Sequence, residues 1–355
     1  MLRLLGHRLG FRAAVRLIPR GTTLMDLHQF ESITSEHLAM RAPELGLDAA
    51  GLRVRYVLNW GGFVNRSFRV TDGRAMLHLK LASDPEIRAG LRRFWELRPL
   101  MAERYRAPAP VAWIEVPGTE YAGVLSPWID GEAPPSIGGR LAEEVVRTVE
   151  RLHADRELAA RLQAPGVPAT CADVFREAYA ARFFADLEGV EAEHPPFVPP
   201  ATVAWLRAEA EAVDAAVAAA PAFREAADAP THGDLWIENL LVTPRGEWFL
   251  LDWDGLALGD PALDWGMLFG PTRTDLRTAA DRALPSRVAS DPAVRERLSI
   301  YARASLLDWT LDPLADWIEA GEAPEHVAEV RPEKERIHRA ALEAYRRRYG
   351  TDAGR

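Results

Sequence analysis

Thr231-His232-Gly233-Asp234-Leu235-Trp236-Ile237-Glu238-Asn239-Leu240-Leu241-Val242, followed by Leu250-Leu251-Asp252-Trp253-Asp254, sets an Asp five residues before an Asn and a second Asp thirteen residues after it. Residues 240–242 and 248–251 are short apolar runs, and Thr243-Pro244-Arg245-Gly246-Glu247 between them is rich in turn formers. The pattern predicts a β-hairpin. Asn239 then precedes its first strand and Asp252 follows its second, so the hairpin brings the two residues to one end. An amide and a carboxylate oxygen suit a hard cation such as magnesium, with phosphate oxygens and water completing its shell. The sequence has no Cys/His cluster of the kind zinc prefers. Asp234, on the loop before Asn239, can orient a hydroxyl and take its proton during phosphoryl transfer. Each residue alone reads as easily as a turn cap or a strand end; the three together at this spacing point to a phosphotransferase.

The segment resembles the catalytic and metal-binding loops of the aminoglycoside phosphotransferase-like group, which includes choline and homoserine kinases. That family pattern is His-Gly-Asp, four residues, Asn, an apolar strand, Asp, and then Gly-Asp-Pro-x-x-Asp, here Gly259-Asp260-Pro261-Ala262-Leu263-Asp264. The resemblance runs over roughly residues 54–266, about three-fifths of the chain. It implies an α+β, bilobal protein-kinase-like fold: a small lobe with an antiparallel sheet and one helix, and a larger, mostly helical lobe. It also implies that Asp234 is the catalytic base, that Asn239 and Asp252 are metal ligands, that His232 gives structural support, and that Asp260 braces the catalytic loop. An N-cap for a helix opening at Pro261 is an equally good reading of Asp260.

A phosphotransferase needs a nucleotide-binding half, and residues 54–81 supply one. Strands are expected at 54–58, 63–70 and 75–81, with Thr71-Asp72-Gly73-Arg74 as a hairpin turn. Gly61 and Gly62 lie in the first turn, where bare backbone N–H groups can approach phosphates. The stretch from Gly61 to Val70 resembles the family's phosphate loop, with Asn65 as its Asn. Lys80, in the third strand, can reach the phosphates of ATP or GTP. Glu96, in the helical pattern of Ile87, Leu91, Phe94 and Leu97, is expected to pair with Lys80, although Pro99 should kink or shorten that helix. Two more strands at 111–115 and 121–125 lead to Ser126-Pro127-Trp128, which resembles the family's hinge against the nucleotide base.

The boundaries expected are an N-terminal helical extension at 1–50, the nucleotide-binding lobe and hinge at 51–130, and a helical lobe at 131–355 holding the catalytic loop (231–266). Helical periodicity covers 140–163, 171–187, 201–220 and 331–349. Asp308, Asp312 and Asp316 are four apart beside Trp309 and Trp317. On one helix they would form an acidic stripe suited to a cationic acceptor, though Pro313 interrupts it. Asp312 and Asp316 of this stripe, and separately Asp254, are the acceptor-binding candidates; a solvated helix face is the competing reading of the stripe.

A net charge of −9 argues against a nucleic-acid surface. No apolar run approaches a membrane span, and the single Cys171 excludes an intramolecular disulfide and fits a reducing cytoplasm. Residues 1–20 depart from this, with five arginines and no acid between apolar residues. As a basic amphipathic helix they would make weak contact with an anionic membrane; as a plain extension they would pack on the enzyme or stay unfolded.

The activity expected is transfer of the γ-phosphoryl group of ATP, with magnesium, to a hydroxyl of a small acceptor. A protein kinase is the poorer reading: Gly233 replaces the arginine that would hold a phosphorylated activation loop, and residues 252–264 leave no room for such a loop. A non-catalytic nucleotide-binding or regulatory module of the same fold is the alternative; it would be expected to have lost one of Lys80, Asp234, Asn239 and Asp252, and all four are present.

Overall fold

The computed structural model describes residues 27–57, 65–163, 170–272, 275–278, 282, 284–320 and 327–350. The expected glycine turn with Gly61 and Gly62, and the basic segment at 1–20, lie outside them. The chain forms two compact units. Of the described residues the first holds 27–149 and 238–256, and the second 150–237 and 257–350.

In the first unit, α1 (Leu27–Arg41) precedes a five-stranded antiparallel sheet. Its strands are β1 (Arg53–Val57), β2 (Asn65–Thr71), β3 (Met76–Ala82), β4 (Ala112–Glu115) and β5 (Ala122–Pro127), in the order β1-β2-β3-β5-β4. The β2–β3 turn closes where Gly73 takes φ +88° and the Asp72 carboxylate accepts the N–H groups of Arg74 and Ala75. Strand alternation then sorts β3: Leu77, Leu79 and Leu81 join Phe68, Val70, Ile114 and Leu125 in a core that α1 closes with Phe30 and Leu38. Each large side chain buried there contributes about 1.5–3 kcal/mol. The opposite face of β3 carries His78, Lys80 and Ala82.

On that opposite face α2 (Pro85–Tyr105) packs Leu91 against Ala82 and Val124. Asp84 caps its first turn through the N–H groups of Glu86 and Ile87. Pro99 does not shorten the helix, which runs on to Tyr105. Pro99 cannot donate to the Trp95 carbonyl, and the Arg98 guanidinium donates to that oxygen instead, at 2.7 Å. Helix α3 (Gly139–Ala154) follows the sheet. The hairpin predicted after Asn239 forms from Leu240–Val242 and Trp248–Leu250, with Leu240 opposite Leu250.

The second unit is mostly helical: α4 (Arg156–Leu162), α5 (Cys171–Phe175), α6 (Ala181–Glu193), α7 (Pro200–Ala219), α8 (Pro261–Leu268), α9 (Ser286–Ser290), α10 (Pro292–Glu319) and α11 (Val327–Tyr349). A π-helical turn, Arg176–Ala180, joins α5 to α6 and buries Tyr179. Phe175, Tyr179, Phe223 and Tyr301 pack ring to ring with centroids 5.6–6.0 Å apart. Helix α10 runs unbroken through Pro313 and packs on α6, α8 and α11. Its acidic stripe faces inward: Asp308 is buried in an ion pair with Arg182 of α6, and Asp316 in one with Lys334 of α11.

Candidate active site

Within the first unit, β3 presents Lys80 beside the turn that follows the hairpin. Its Nζ donates to the carboxylates of Asp252 and, at 2.9 Å, Asp254. Burial works against the ammonium charge, but the two carboxylates outweigh it and hold Lys80 above its ordinary pKa. Burial also raises Asp254, which Lys80 opposes and Asp252 reinforces. Asp254 is therefore committed to Lys80 rather than to an acceptor, which corrects the sequence expectation: the tight turn Trp253–Gly255 folds its side chain inward, to 4% exposure.

Glu96 is a second correction. It does not pair with Lys80; it lies exposed and accepts from Arg92 one turn earlier. The buried face of α2 is Gly90, Leu91, Phe94, Leu97 and Met101, and at 100° per residue position 96 falls on the opposite side.

Asp252 has φ +66° and ψ +53°, a left-handed conformation unusual for a residue with a Cβ. Held strain of this kind clusters at functional positions. The Asn239 carbonyl accepts the Leu251 N–H at 2.8 Å, so the hairpin sets Asn239 directly across from the residue before Asp252, as the sequence predicts. The donor set suits magnesium: both residues offer oxygen, Asp252 keeps a quarter of its side chain accessible, and Oδ1 of Asp254 is buried with no hydrogen-bond partner among the described residues. Asn65 opens β2 with its Oδ1 likewise buried and unpartnered there. Trp128 follows β5, donates its N–H to Met76 at 3.0 Å and meets His78 edge-on at 6.3 Å. Burial and the neighbouring Lys80 charge push His78 down to about 4, so it is neutral at pH 7.

Within the second unit, the loop at 231–236 is held from beneath by Asp264, which is wholly buried near the start of α8. Its carboxylate accepts the N–H groups of His232 and Gly233 at 2.9 and 3.0 Å, and lies 2.9 Å from His153 Nε2. His232, also buried, accepts the Asp234 N–H on Nδ1 at 3.3 Å, which leaves its ring proton on Nε2. Asp260 does not brace this loop. It caps α8 through the Ala262 N–H and pairs with Arg297. The brace is its neighbour one turn on: the cap position points Asp260 at its own helix, whereas Asp264 projects toward the loop.

The protein-family model for the phosphotransferase enzyme family matches residues 55–301, more than half of the chain. The chain belongs to that family. Solved structures agree on the fold of this phosphotransferase. A choline kinase from Cryptosporidium parvum Iowa II has a TM-score of 0.58 and 13% identity, over 89% of this chain and 95% of that one. The GDP and kanamycin complex of APH(2")-IIia has a TM-score of 0.53 and 16% identity, over 88% and 97%. A Plasmodium vivax ethanolamine kinase has a TM-score of 0.53 and 13% identity, over 92% and 91%. The curated proteins hold no match. The phosphotransferase is thus an enzyme with a kinase-like α+β fold, and no described helix is long and apolar enough to cross a membrane.

Further groups of this phosphotransferase surround the second unit's loop. Burial pushes the Asp308 carboxyl up to about 7, against the Arg182 charge and with help from Asp312 and Asp316. Tyr179 senses the charges of both Asp308 and Asp234. Trp236, two residues after Asp234, packs edge-on against Trp309 at 6.3 Å. Asp312 is half-buried beside the Arg182–Asp308 pair. Asp316 is removed from the acceptor candidates because Lys334 already neutralises it. His153 and Arg182 escaped the sequence reading; each sits on an ordinary amphipathic helix and is marked only by burial. Asp264 was legible as the second Asp of Gly-Asp-Pro-x-x-Asp.

Proposed function

We propose that this phosphotransferase moves the γ-phosphoryl group of ATP, or GTP, to a hydroxyl of a small cationic acceptor. The reading rests on Lys80, Asp234, Asn239 and Asp252 all being present at the required spacing, and above all on Lys80 bonding to Asp252 across the fold. In this proposal the nucleotide-binding half spans 51–130 and the acceptor half 131–355. Lys80 holds the phosphates, with Asn65 and Trp128 beside the nucleotide. Asn239 and Asp252 would hold magnesium, which when bound would neutralise phosphate charge during the transfer. Asp234 orients the acceptor hydroxyl and accepts its proton as the new O–P bond forms and the bond to the leaving nucleoside diphosphate breaks.

A positively charged acceptor is supported by the charge balance near the loop. Asp186 and Asp312 add carboxylate charge beside the Arg182–Asp308 pair, and Trp236 and Trp309 supply aromatic faces for a cation. The test is acceptor-stimulated release of nucleoside diphosphate across a panel of hydroxylated amines and their neutral analogues. Preference for the neutral analogues would reject the cationic class, and an Asp312→Asn variant with unchanged acceptor KM would remove Asp312 from the site.

A further inference from the structure

Lys80 needs a carboxylate partner to hold its long side chain on the phosphates, and α2 cannot supply one. All three glutamates of that helix, Glu86, Glu96 and Glu103, are exposed. The side of α2 that meets the turn after Asp252 carries Gly90 and Arg93 instead. A Cβ at Gly90 would collide with the Asp254 carbonyl oxygen, so the helix presses against the turn backbone with no side chain between them. One turn on, Arg93 donates to the Leu256 carbonyl at 2.6 Å. The turn is fixed from its other end by Trp253, wholly buried, whose Nε1 donates to the Leu250 carbonyl at 2.8 Å. Into this frame Asp254 projects a buried carboxylate, one oxygen 2.9 Å from Lys80 Nζ and the other with no hydrogen-bond partner among the described residues.

We propose that Asp254 is the positioning residue for Lys80, replacing a helix glutamate, so that the metal ligand Asp252 and the lysine anchor Asp254 belong to one rigid turn. The inference rests on Lys80 being the nucleotide-binding lysine. Asp252 can then leave Lys80 for a metal while Asp254 keeps the ammonium in place. Because α2 carries no part of the anchor, its position is set by the close contact at Gly90 and not by the state of an ion pair.

The test is a double-mutant cycle on the full chain, reading the affinity for ATP with magnesium by calorimetry. Lys80→Met should weaken binding. Asp254→Asn should weaken it by about tenfold, within the range found for directly coupled pairs, and should add nothing further in the Lys80→Met background. Glu96→Gln should leave it within about twofold of the unaltered protein, the range of a substitution away from the site. Asp254→Ser takes the place of Asp254→Asn in the cycle if the latter does not fold. Full affinity in Asp254→Asn beside a weakened Lys80→Met overturns the inference. So do additive losses, which would mean that Asp254 acts other than through Lys80, and so does a loss in Glu96→Gln. An unweakened Lys80→Met would instead reject Lys80 as the nucleotide lysine.

Discussion

The carboxylate of Asp264 lies 2.9 Å from His153 Nε2 while the same oxygen accepts the backbone N–H of His232 at 2.9 Å. A helix-end histidine is thereby joined, through one buried carboxylate, to the backbone of the loop that carries Asp234. Asp264→Ala strands the two loop N–H groups in a dry site, at about 1–3 kcal/mol each. We expect it to lower both stability and kcat. His153→Phe should lower kcat more modestly, because the loop keeps its bonds to Asp264. Thermal unfolding beside steady-state kinetics checks this; a His153→Phe enzyme more impaired than Asp264→Ala would contradict the order of dependence.

The Arg182–Asp308 pair is buried on both sides. Removing one partner leaves an uncompensated charge and costs about 3–5 kcal/mol, whereas replacing both with apolar residues is often neutral. Arg182→Met should therefore be strongly destabilising in urea unfolding, and Arg182→Met with Asp308→Leu should recover most of the loss. Failure of the second change to rescue would show that the pair does more than neutralise itself.

His78 gives a pH dependence whose sign is fixed. Its folded pKa is depressed from 6.5 to about 4, so between those values the unfolded chain binds the proton first. Stability present above pH 6.5 is lost as pH falls toward 4. His78→Gln should flatten this part of the profile relative to the unaltered protein, and parallel profiles would remove His78 as a source of the acid sensitivity.

Asp252→Asn leaves the backbone turn available but removes the carboxylate charge, leaving one neutral amide oxygen to offer a cation. The expected outcome is a higher magnesium concentration for half-maximal nucleotide binding, with metal-independent binding little changed. An unshifted magnesium titration would remove Asp252 from the metal site.

What could be read from the sequence was whatever short-range pattern dictates. The alternation of Leu77, His78, Leu79 and Lys80 located β3 and its two faces, and the turn residues between Val242 and Trp248 located the hairpin that sets Asn239 near Asp252. The errors were partnerships between distant segments. Glu96 has the right spacing for a lysine partner, but the rotation of α2 is set by the packing of Leu91 and Gly90, and it turns Glu96 to solvent. The acids at 308, 312 and 316 do share a helix face, but their partners, Arg182 and Lys334, lie 126 and 18 residues away in sequence and gave no local signal. Pro99 reads as a point that shortens its helix and Pro313 as an interruption because the sequence shows the missing donor but not the tertiary packing around it, nor the arginine that takes over the orphaned Trp95 carbonyl.

The most direct test of the central claim is nucleoside diphosphate release from ATP and magnesium with a panel of hydroxylated amines, comparing the unaltered enzyme with Asp234→Ala. The account predicts an acceptor-stimulated rate that falls by about 10²–10⁴-fold in the variant while its affinity for the nucleotide stays the same. An Asp234→Ala enzyme that turns over at the full rate would contradict it.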